Sequence, residues 1–166
     1  MGAEKNKNKK IEAILDANNW GNSNVNKISR RELLLIATAL YWSEGAKTDS
    51  TSTLMFVNSD PEMILVMKKF LVDVMNVDLN DIACTIQINK MHEKRIRKVL
   101  IFWKKLLGLK NSQIRKPYFV NTRVNKIYDN YEQYFGVCRL FVRKGKDLQY
   151  KMRGLIKALK FEILSA

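Results

Sequence analysis

Two stretches of the chain, Ile82–Asn89 and Val137–Arg143, alternate between inward apolar and outward polar positions. A period of two predicts β-strands that bury one face and leave the other face polar. The side chains predicted to be buried are Ile82, Cys84, Ile86, Ile88, Cys138, Leu140 and Val142. The opposite faces of the two strands then present Thr85, Gln87, Asn89, Arg139 and Arg143.

The first strong helix signal is a capping box, formed by Ser29 and Glu32 ahead of an apolar run. It predicts a helix at Arg30–Ser43, with Gly45 as the residue that ends it. The middle of this helix, Leu33–Trp42, is apolar almost all round. We therefore expect other parts of the protein to cover it on every side.

Three further helices and two shorter elements complete the predicted fold. Ser59 and Glu62 form a second capping box. The helices are predicted from Pro61 to about Met75, at Glu93–Leu107 and at Asp147–Leu164, with a hairpin at Lys47–Asn58 and a short strand at Tyr118–Thr122. This order of elements predicts an α+β fold in which helices back an antiparallel sheet.

The first 28 residues differ in composition from the rest of the chain. Met1–Lys10 is rich in lysine and asparagine and is predicted to form a basic arm. A short helix is predicted at Ile11–Trp20, followed by a linker at Gly21–Asn26. Residues 29–166 are then predicted to form one domain, which suits a chain of 166 residues.

The net charge of the chain indicates the kind of partner that the protein binds. There are 30 Lys and Arg against 16 Asp and Glu, which gives a net charge of +14 and a pI near 9.8. Such an excess favours a polyanionic partner, although a solubilising surface is the alternative. Gln, Asn and Arg can read base edges in the major groove, and Lys and Arg can contact phosphates. The predicted outer sheet face, with Lys116 and Arg123 near it, therefore indicates a surface for double-stranded DNA, whereas spacing alone fits a solvated face equally well.

Several other functions find no support in the sequence. The chain has two cysteines, Cys84 and Cys138, and one histidine, so a zinc site is not expected. Both cysteines lie in apolar alternations, which predicts reduced thiols and an intracellular location, cytoplasmic or organellar. The longest apolar run, Leu33–Trp42, is too short to span a membrane, so no membrane partner is expected. No nucleotide-binding or hydrolase motif predicts a small-molecule cofactor.

The segment Ala37–Gly45 resembles the signature helix of the LAGLIDADG homing endonucleases. In that register Ala39 and Ser43 stand at small-residue positions, Glu44 at the final acidic position and Gly45 at the closing glycine. Trp42 stands where the family pattern has an aspartate, and Ala37 where it has a leucine.

The resemblance extends beyond the helix itself. The turn Asn58–Pro61 is similar to an Asn-Ser-Asp-Pro turn in relatives with a Tyr-Trp-x-Glu-Gly signature helix. The segment Gly136–Val142 is similar to the strand that precedes their terminal helix. The likeness covers Ser29 to Leu159, and it implies a LAGLIDADG-type domain with a saddle-shaped antiparallel sheet.

Leu35, Ala39 and Ser43 are four residues apart and share one side of the predicted helix. Small residues at this spacing allow two helix backbones to approach closely. The resemblance implies that the signature helices of two copies meet here, which gives a homodimer with an isologous contact. Tight packing within one chain is the alternative interpretation.

The resemblance also implies a metal site at the end of this helix. Glu44, with the backbone carbonyl of Ser43, would bind Mg²⁺ at the scissile phosphates. Lys47 is a candidate for positioning the attacking water, as are Gln87 and Arg139 by location. A solvated carboxylate without a special role is the alternative for Glu44, although the helix dipole opposes a negative charge there.

These observations lead to one leading hypothesis and two alternatives. The first is a homodimeric, Mg²⁺-dependent endonuclease that cuts both strands of a pseudo-palindromic DNA site. The second is a DNA-binding regulator with the same fold that does not cut. The third is an RNA-binding protein that assists splicing, as some members of the family do.

Overall fold

The computed structural model describes residues 2–46, 52–121 and 131–165. Within these ranges the chain forms helices α1 (Gly2–Asn24), α2 (Arg30–Glu44), α3 (Pro61–Asp73), α4 (Ile96–Leu107) and α5 (Lys146–Leu164). The strands are β1 (Met55–Asn58), β2 (Ile82–Asn89), β3 (Tyr118–Val120) and β4 (Val137–Val142). The predicted α+β class is confirmed. Contacts divide the chain into two compact units, residues 1–32 and 33–166.

The first unit is mainly helical. The prediction of a short helix at Ile11–Trp20 followed by a linker at Gly21–Asn26 is wrong, because α1 runs without interruption from Gly2 to Asn24. Its Lys, Glu, Ala and Leu residues are strong helix formers, and Gly21 within the helix costs only about 1 kcal/mol. Near its end, the side chains of Ser23 and Asn24 each donate a hydrogen bond of 2.8 Å to the carbonyl of Trp20.

The two predicted capping boxes have different outcomes. The box ahead of α2 is present: the Ser29 amide donates to Glu32 Oε2 at 2.6 Å, and the Glu32 amide donates to Ser29 Oγ at 3.2 Å. The hydrogen bonds from Ser29 lower the pKa of the Glu32 carboxyl. The prediction of Ser59 as the cap of α3 is wrong, because Asp60 Oδ1 accepts from the amides of Glu62 at 2.8 Å and Met63 at 3.4 Å.

The strands form one sheet in the order β1-β4-β2-β3. β4 is antiparallel to both β1 and β2, whereas β3 is parallel to β2. The prediction of a wholly antiparallel sheet is therefore wrong for the β2–β3 pair. A parallel pair requires a crossover connection, and α4 lies in the connection between these strands.

Of the predicted hairpin at Lys47–Asn58, the structure describes only residues 52–58. β1 pairs along its length with β4, and an isolated antiparallel bridge joins Gly45 to Phe56. The amide of Ala46 donates to the carbonyl of Met55 at 3.0 Å. Residues 47–51 lie outside the described residues.

The core lies between the sheet and the helices of the second unit. The inward side chains predicted for β2 and β4 are all buried. They form one cluster with Ala37 and Tyr41 of α2, Ile64, Met67 and Phe70 of α3, Val99 and Trp103 of α4, and Met152 and Ile156 of α5. Because all four helices contribute to this cluster, they pack on one side of the sheet. The other side is its outer face.

The single histidine of the chain lies in a 3₁₀ turn between β2 and α4. His92 is only 5% exposed, and its ring centre lies 5.3 Å from that of Tyr134. Arg95 Nη1 lies 3.1 Å from His92 Nδ1. A guanidinium can only donate, so Nδ1 accepts and the ring is neutral. Burial, followed by the charge of Arg95, lowers the pKa of His92.

Mild acidification is expected to destabilise this protein through His92. The pKa of His92 is lower in the folded state than its ordinary value near 6.5, so the unfolded chain binds more protons in this range. The free energy of unfolding should therefore fall as the pH drops below about 6.5. Urea unfolding at neutral and mildly acidic pH would measure how steeply the free energy of unfolding depends on pH. This dependence should be weaker in the His92→Gln variant. An unchanged slope in that variant would exclude His92 as its source.

Candidate nucleic-acid interface and carboxylate site

The outer face of the sheet brings together four of the predicted DNA-contacting residues. Thr85 of β2 lies opposite Arg139 of β4, and Gln87 lies two residues further along β2. Asn89 follows at the end of the same strand. Residues two apart on a strand share a face, so these side chains form one surface. All four are half-buried, and none belongs to the core.

The same face carries residues that the sequence pattern did not indicate. The Arg115 guanidinium lies 5.9 Å from the centre of the Phe141 ring, and the Arg115 amide donates to the carbonyl of Cys84 at 2.8 Å. Tyr118 pairs with Gln87 and is 56% exposed. The sequence around these residues shows only the basic pair Arg115 and Lys116 ahead of a short predicted strand. The pairing of that strand with β2 could not be predicted from this local pattern.

The remaining predicted contacts are placed differently. Arg143 follows β4, and its Nη2 donates to the carbonyl of Ser112 at 2.7 Å, so its guanidinium holds a neighbouring turn. The Arg143 amide donates to the carbonyl of Asp81 at 2.8 Å. Lys116 is exposed beside β3. Arg123 lies outside the described residues.

Helix α2 has one buried side and one exposed side. Leu33, Ala37 and Tyr41 lie in the core. On the opposite side Leu35, Ala39 and Ser43 are exposed, with Ile36 and Trp42 beside them. Leu35 and Trp42 are each 39% exposed and Ile36 is 40% exposed. The expectation that this helix is covered on every side is therefore wrong for the single chain. We call Leu35, Ala39 and Ser43 the small-residue stripe.

Glu44 is the last residue of α2, and it is exposed at the end of the small-residue stripe. The Ser43 hydroxyl donates a hydrogen bond to the carbonyl of Leu40 at 2.9 Å. Lys47 lies outside the described residues.

The backbone after Glu44 is held by Tyr41. The amide of Gly45 donates to the carbonyl of Tyr41 at 2.9 Å, and the Tyr41 hydroxyl donates to the carbonyl of Ala46 at 2.8 Å. Tyr41 is fully buried, and burial raises the pKa of its hydroxyl. These contacts fix the direction in which the chain leaves α2, and so they position Glu44.

Replacing Gly45 by Ala is expected to lower the free energy of unfolding by about 1–3 kcal/mol, the usual cost of overpacking. A Cβ at this position would lie 2.5 Å from the carbonyl oxygen of Tyr41 and 2.6 Å from its ring. Gly154 in α5 provides the matched control, because a Cβ there meets nothing within 4 Å. Gly154→Ala should raise stability by about 0.5–1 kcal/mol. Urea unfolding of both variants tests the contrast, and equal effects would contradict it.

The donors at the end of α2 suit magnesium in type. Carboxylate and carbonyl oxygens are ligands that Mg²⁺ accepts, and Mg²⁺ is often held by one or two carboxylates together with substrate phosphates. Across the described ranges, no group of three or more His, Cys, Asp and Glu could hold a metal ion.

Two general findings complete the description. None of the helices in the described ranges has the length and apolar character needed to cross a membrane. Comparison of the chain with protein-family models, curated proteins and solved structures gives no match. The function is therefore inferred from the site itself and from the resemblance of Ala37–Gly45 to the LAGLIDADG signature helix.

Proposed function

We propose that this chain is a Mg²⁺-dependent DNA endonuclease of LAGLIDADG type that acts as a homodimer and cuts both strands of a pseudo-palindromic site. One observation carries the proposal: α2 leaves the small-residue stripe exposed, and the stripe ends at the exposed carboxylate of Glu44. The sheet presents a separate face with amide and guanidinium side chains.

The small-residue stripe supports a helix-to-helix contact between two copies. Ala39 and Ser43 have small side chains, so two α2 backbones can approach closely about a twofold axis. Leu35, Ile36 and Trp42 would lose exposed apolar surface in that contact, which stabilises it. A twofold contact uses the same residues from both copies, as is usual in homodimers.

Dimer formation would also complete the metal site. Two Glu44 carboxylates near the twofold axis would repel each other unless a cation lies between them. Glu44 and the backbone carbonyl of Ser43 would then hold Mg²⁺, with DNA phosphates as further ligands. When bound, Mg²⁺ supplies an activated water and stabilises the leaving oxygen. Lys47 is the candidate for orienting that water.

The outer face of the sheet supports recognition of the DNA target. Gln87 and Asn89 can form paired hydrogen bonds with adenine, and Arg139 with guanine. Arg115 and Lys116 can contact phosphates, which fix the position of the protein on the duplex. In a symmetric dimer these faces would contact two half-sites, which is why the target is expected to be pseudo-palindromic.

A cleavage assay on a DNA library tests the proposal. The library should contain the genomic region around the gene, and it should be incubated with the protein with and without Mg²⁺. The expected result is double-strand cleavage at one site, only in the presence of Mg²⁺. Sequence-specific binding without cleavage at any Mg²⁺ concentration would contradict the endonuclease.

That contradictory result would identify the second candidate function, a DNA-binding regulator that does not cut. It is favoured by Trp42, which stands where the family pattern has an aspartate. The polar outer face, with Gln87 and Arg139, would serve a regulator equally well. A preference for structured RNA over duplex DNA at matched salt would instead favour the splicing alternative.

A further inference from the structure

A strongly basic surface lies on α4 and on the turn before it. Lys90–Leu107 contains seven Lys and Arg and one acidic residue, Glu93. By contrast, α3 carries two basic and two acidic residues. α5 carries five basic and two acidic residues. The excess of positive charge is therefore larger on α4 and its turn than on α3 or α5.

The exposed side of α4 is formed almost entirely by cations. Arg97, Lys98 and Lys105 are exposed on this side with Ile101 among them, and Lys94 is exposed in the turn before the helix. Positions three and four apart lie on the same side of a helix, so these residues form one surface, which we call the α4 face. From Arg97 to Lys105 it extends about 12 Å along the helix axis.

Few acids balance these charges. Among the described residues, one ion pair involves the α4 face, between Lys98 Nζ and Glu132 Oε2 at 3.4 Å, and both side chains are about two-thirds exposed. Such an exposed pair contributes little binding energy and yields readily to another anion. The α4 face therefore keeps its attraction for a polyanion.

The α4 face points away from the outer face of the sheet. Val99, Trp103 and Leu107 of α4 lie in the core with the inward residues of β2 and β4. The cations occupy the opposite side of the helix, so the core and the sheet separate them from Gln87 and Arg139. One duplex on the outer face of the sheet would leave the α4 face uncovered.

The chemistry of the α4 face suits phosphates and not bases. It has no Asn or Gln to read base edges and no aromatic ring on which unpaired bases would stack. Lys and Arg spread along one side of a helix can contact phosphates of a double helix, and such contacts are independent of sequence.

We propose that the α4 face is a second DNA-binding site, which holds the phosphate backbone of another duplex segment without sequence preference. One protein assembly would then bridge two duplexes, with one on the outer face of the sheet and one on the α4 face. This inference goes beyond cleavage, because it concerns a surface that the proposed endonuclease reaction does not use.

A bridging assay tests the second site. One duplex is immobilised, the full chain is added without divalent metal so that no cleavage occurs, and capture of a second, labelled duplex of unrelated sequence is measured over a range of salt. The wild-type protein should capture the labelled duplex. Capture falls as the salt concentration rises. In the double variant Arg97→Gln and Lys105→Gln, the plot of log capture against log salt should be less steep by about 1.8, which is 0.9 for each lost phosphate contact.

A matched double variant controls for the change in net charge. Lys151→Gln and Lys157→Gln remove two exposed lysines from α5, and they should leave capture close to that of the wild type. Binding to the immobilised duplex should persist in both double variants. Absence of capture by the wild type, equal loss in both variants, or capture of duplex RNA but not of duplex DNA would each overturn the proposal.

Discussion

Replacing Glu44 by Gln is expected to reduce the rate of DNA cleavage by about 10³-fold, while the affinity for DNA changes little. A metal ligand stabilises developing charge by several kcal/mol, and about 4 kcal/mol corresponds to a 10³-fold change in rate. Gln keeps the size and shape of Glu but loses the negative charge that would hold Mg²⁺ in the proposed site. Glu44 is exposed, so its replacement should not disturb the core. Single-turnover cleavage and a binding assay on the same duplex measure the two effects.

Glu62→Gln is the matched control for this experiment. Glu62 is an exposed acid in the first turn of α3, whereas Glu44 is the last residue of α2. Its replacement should leave the cleavage rate within about twofold, as surface substitutions typically change stability by at most about 0.5 kcal/mol. A cleavage rate that Glu44→Gln leaves unaltered would remove Glu44 from the metal site.

Replacing Ala39 by Arg is expected to raise the dissociation constant of the homodimer by about 100-fold or more. The substitution puts a bulky cation in the small-residue stripe, and the twofold axis of the proposed homodimer would bring two copies of that cation together. Like charges that face each other at an interface cost several kcal/mol, and about 3 kcal/mol is already more than 100-fold in affinity. Sedimentation of the protein alone and on DNA measures the change.

The position of Ala39 makes this experiment easy to interpret. Ala39 is exposed in the single chain, so its replacement should leave the free energy of unfolding of the monomer nearly unchanged. Ala158→Arg places the same side chain on an exposed position of α5 and should not affect association. A wild-type protein that stays monomeric on DNA would exclude the shared Glu44 site altogether.

The sequence was most informative where one physical pattern dominates. Strict alternation located β2 and β4 and identified their buried faces, because a half-buried strand leaves no other way to place seven apolar side chains. The capping box located the start of α2, since the reciprocal hydrogen bonds of Ser29 and Glu32 are strictly local. The parts of the candidate site that lie on these elements were therefore predictable, namely the polar face of β2 and β4 and the position of Glu44 at the end of α2.

Features that depend on distant pairing were not predictable in the same way. The parallel alignment of β3 with β2 brings Arg115 and Tyr118 to the outer face, and nothing in the three residues of β3 specifies that partner. The exposed side of α2 could not be predicted from the sequence either, because Leu33–Trp42 is apolar almost all round. Only the packing of the chain shows that Leu35 and Ala39 are left outside the core.

The central place of β4 has a consequence for how the protein is made. β4 lies between β1 and β2, yet it follows both of them in the chain by about fifty residues or more. Until Val137–Val142 has left the ribosome, β1 and β2 expose one unpaired edge each, and unpaired strand edges recruit other chains. The nascent protein is therefore expected to need a chaperone during this interval, and fragments that lack β4 should aggregate.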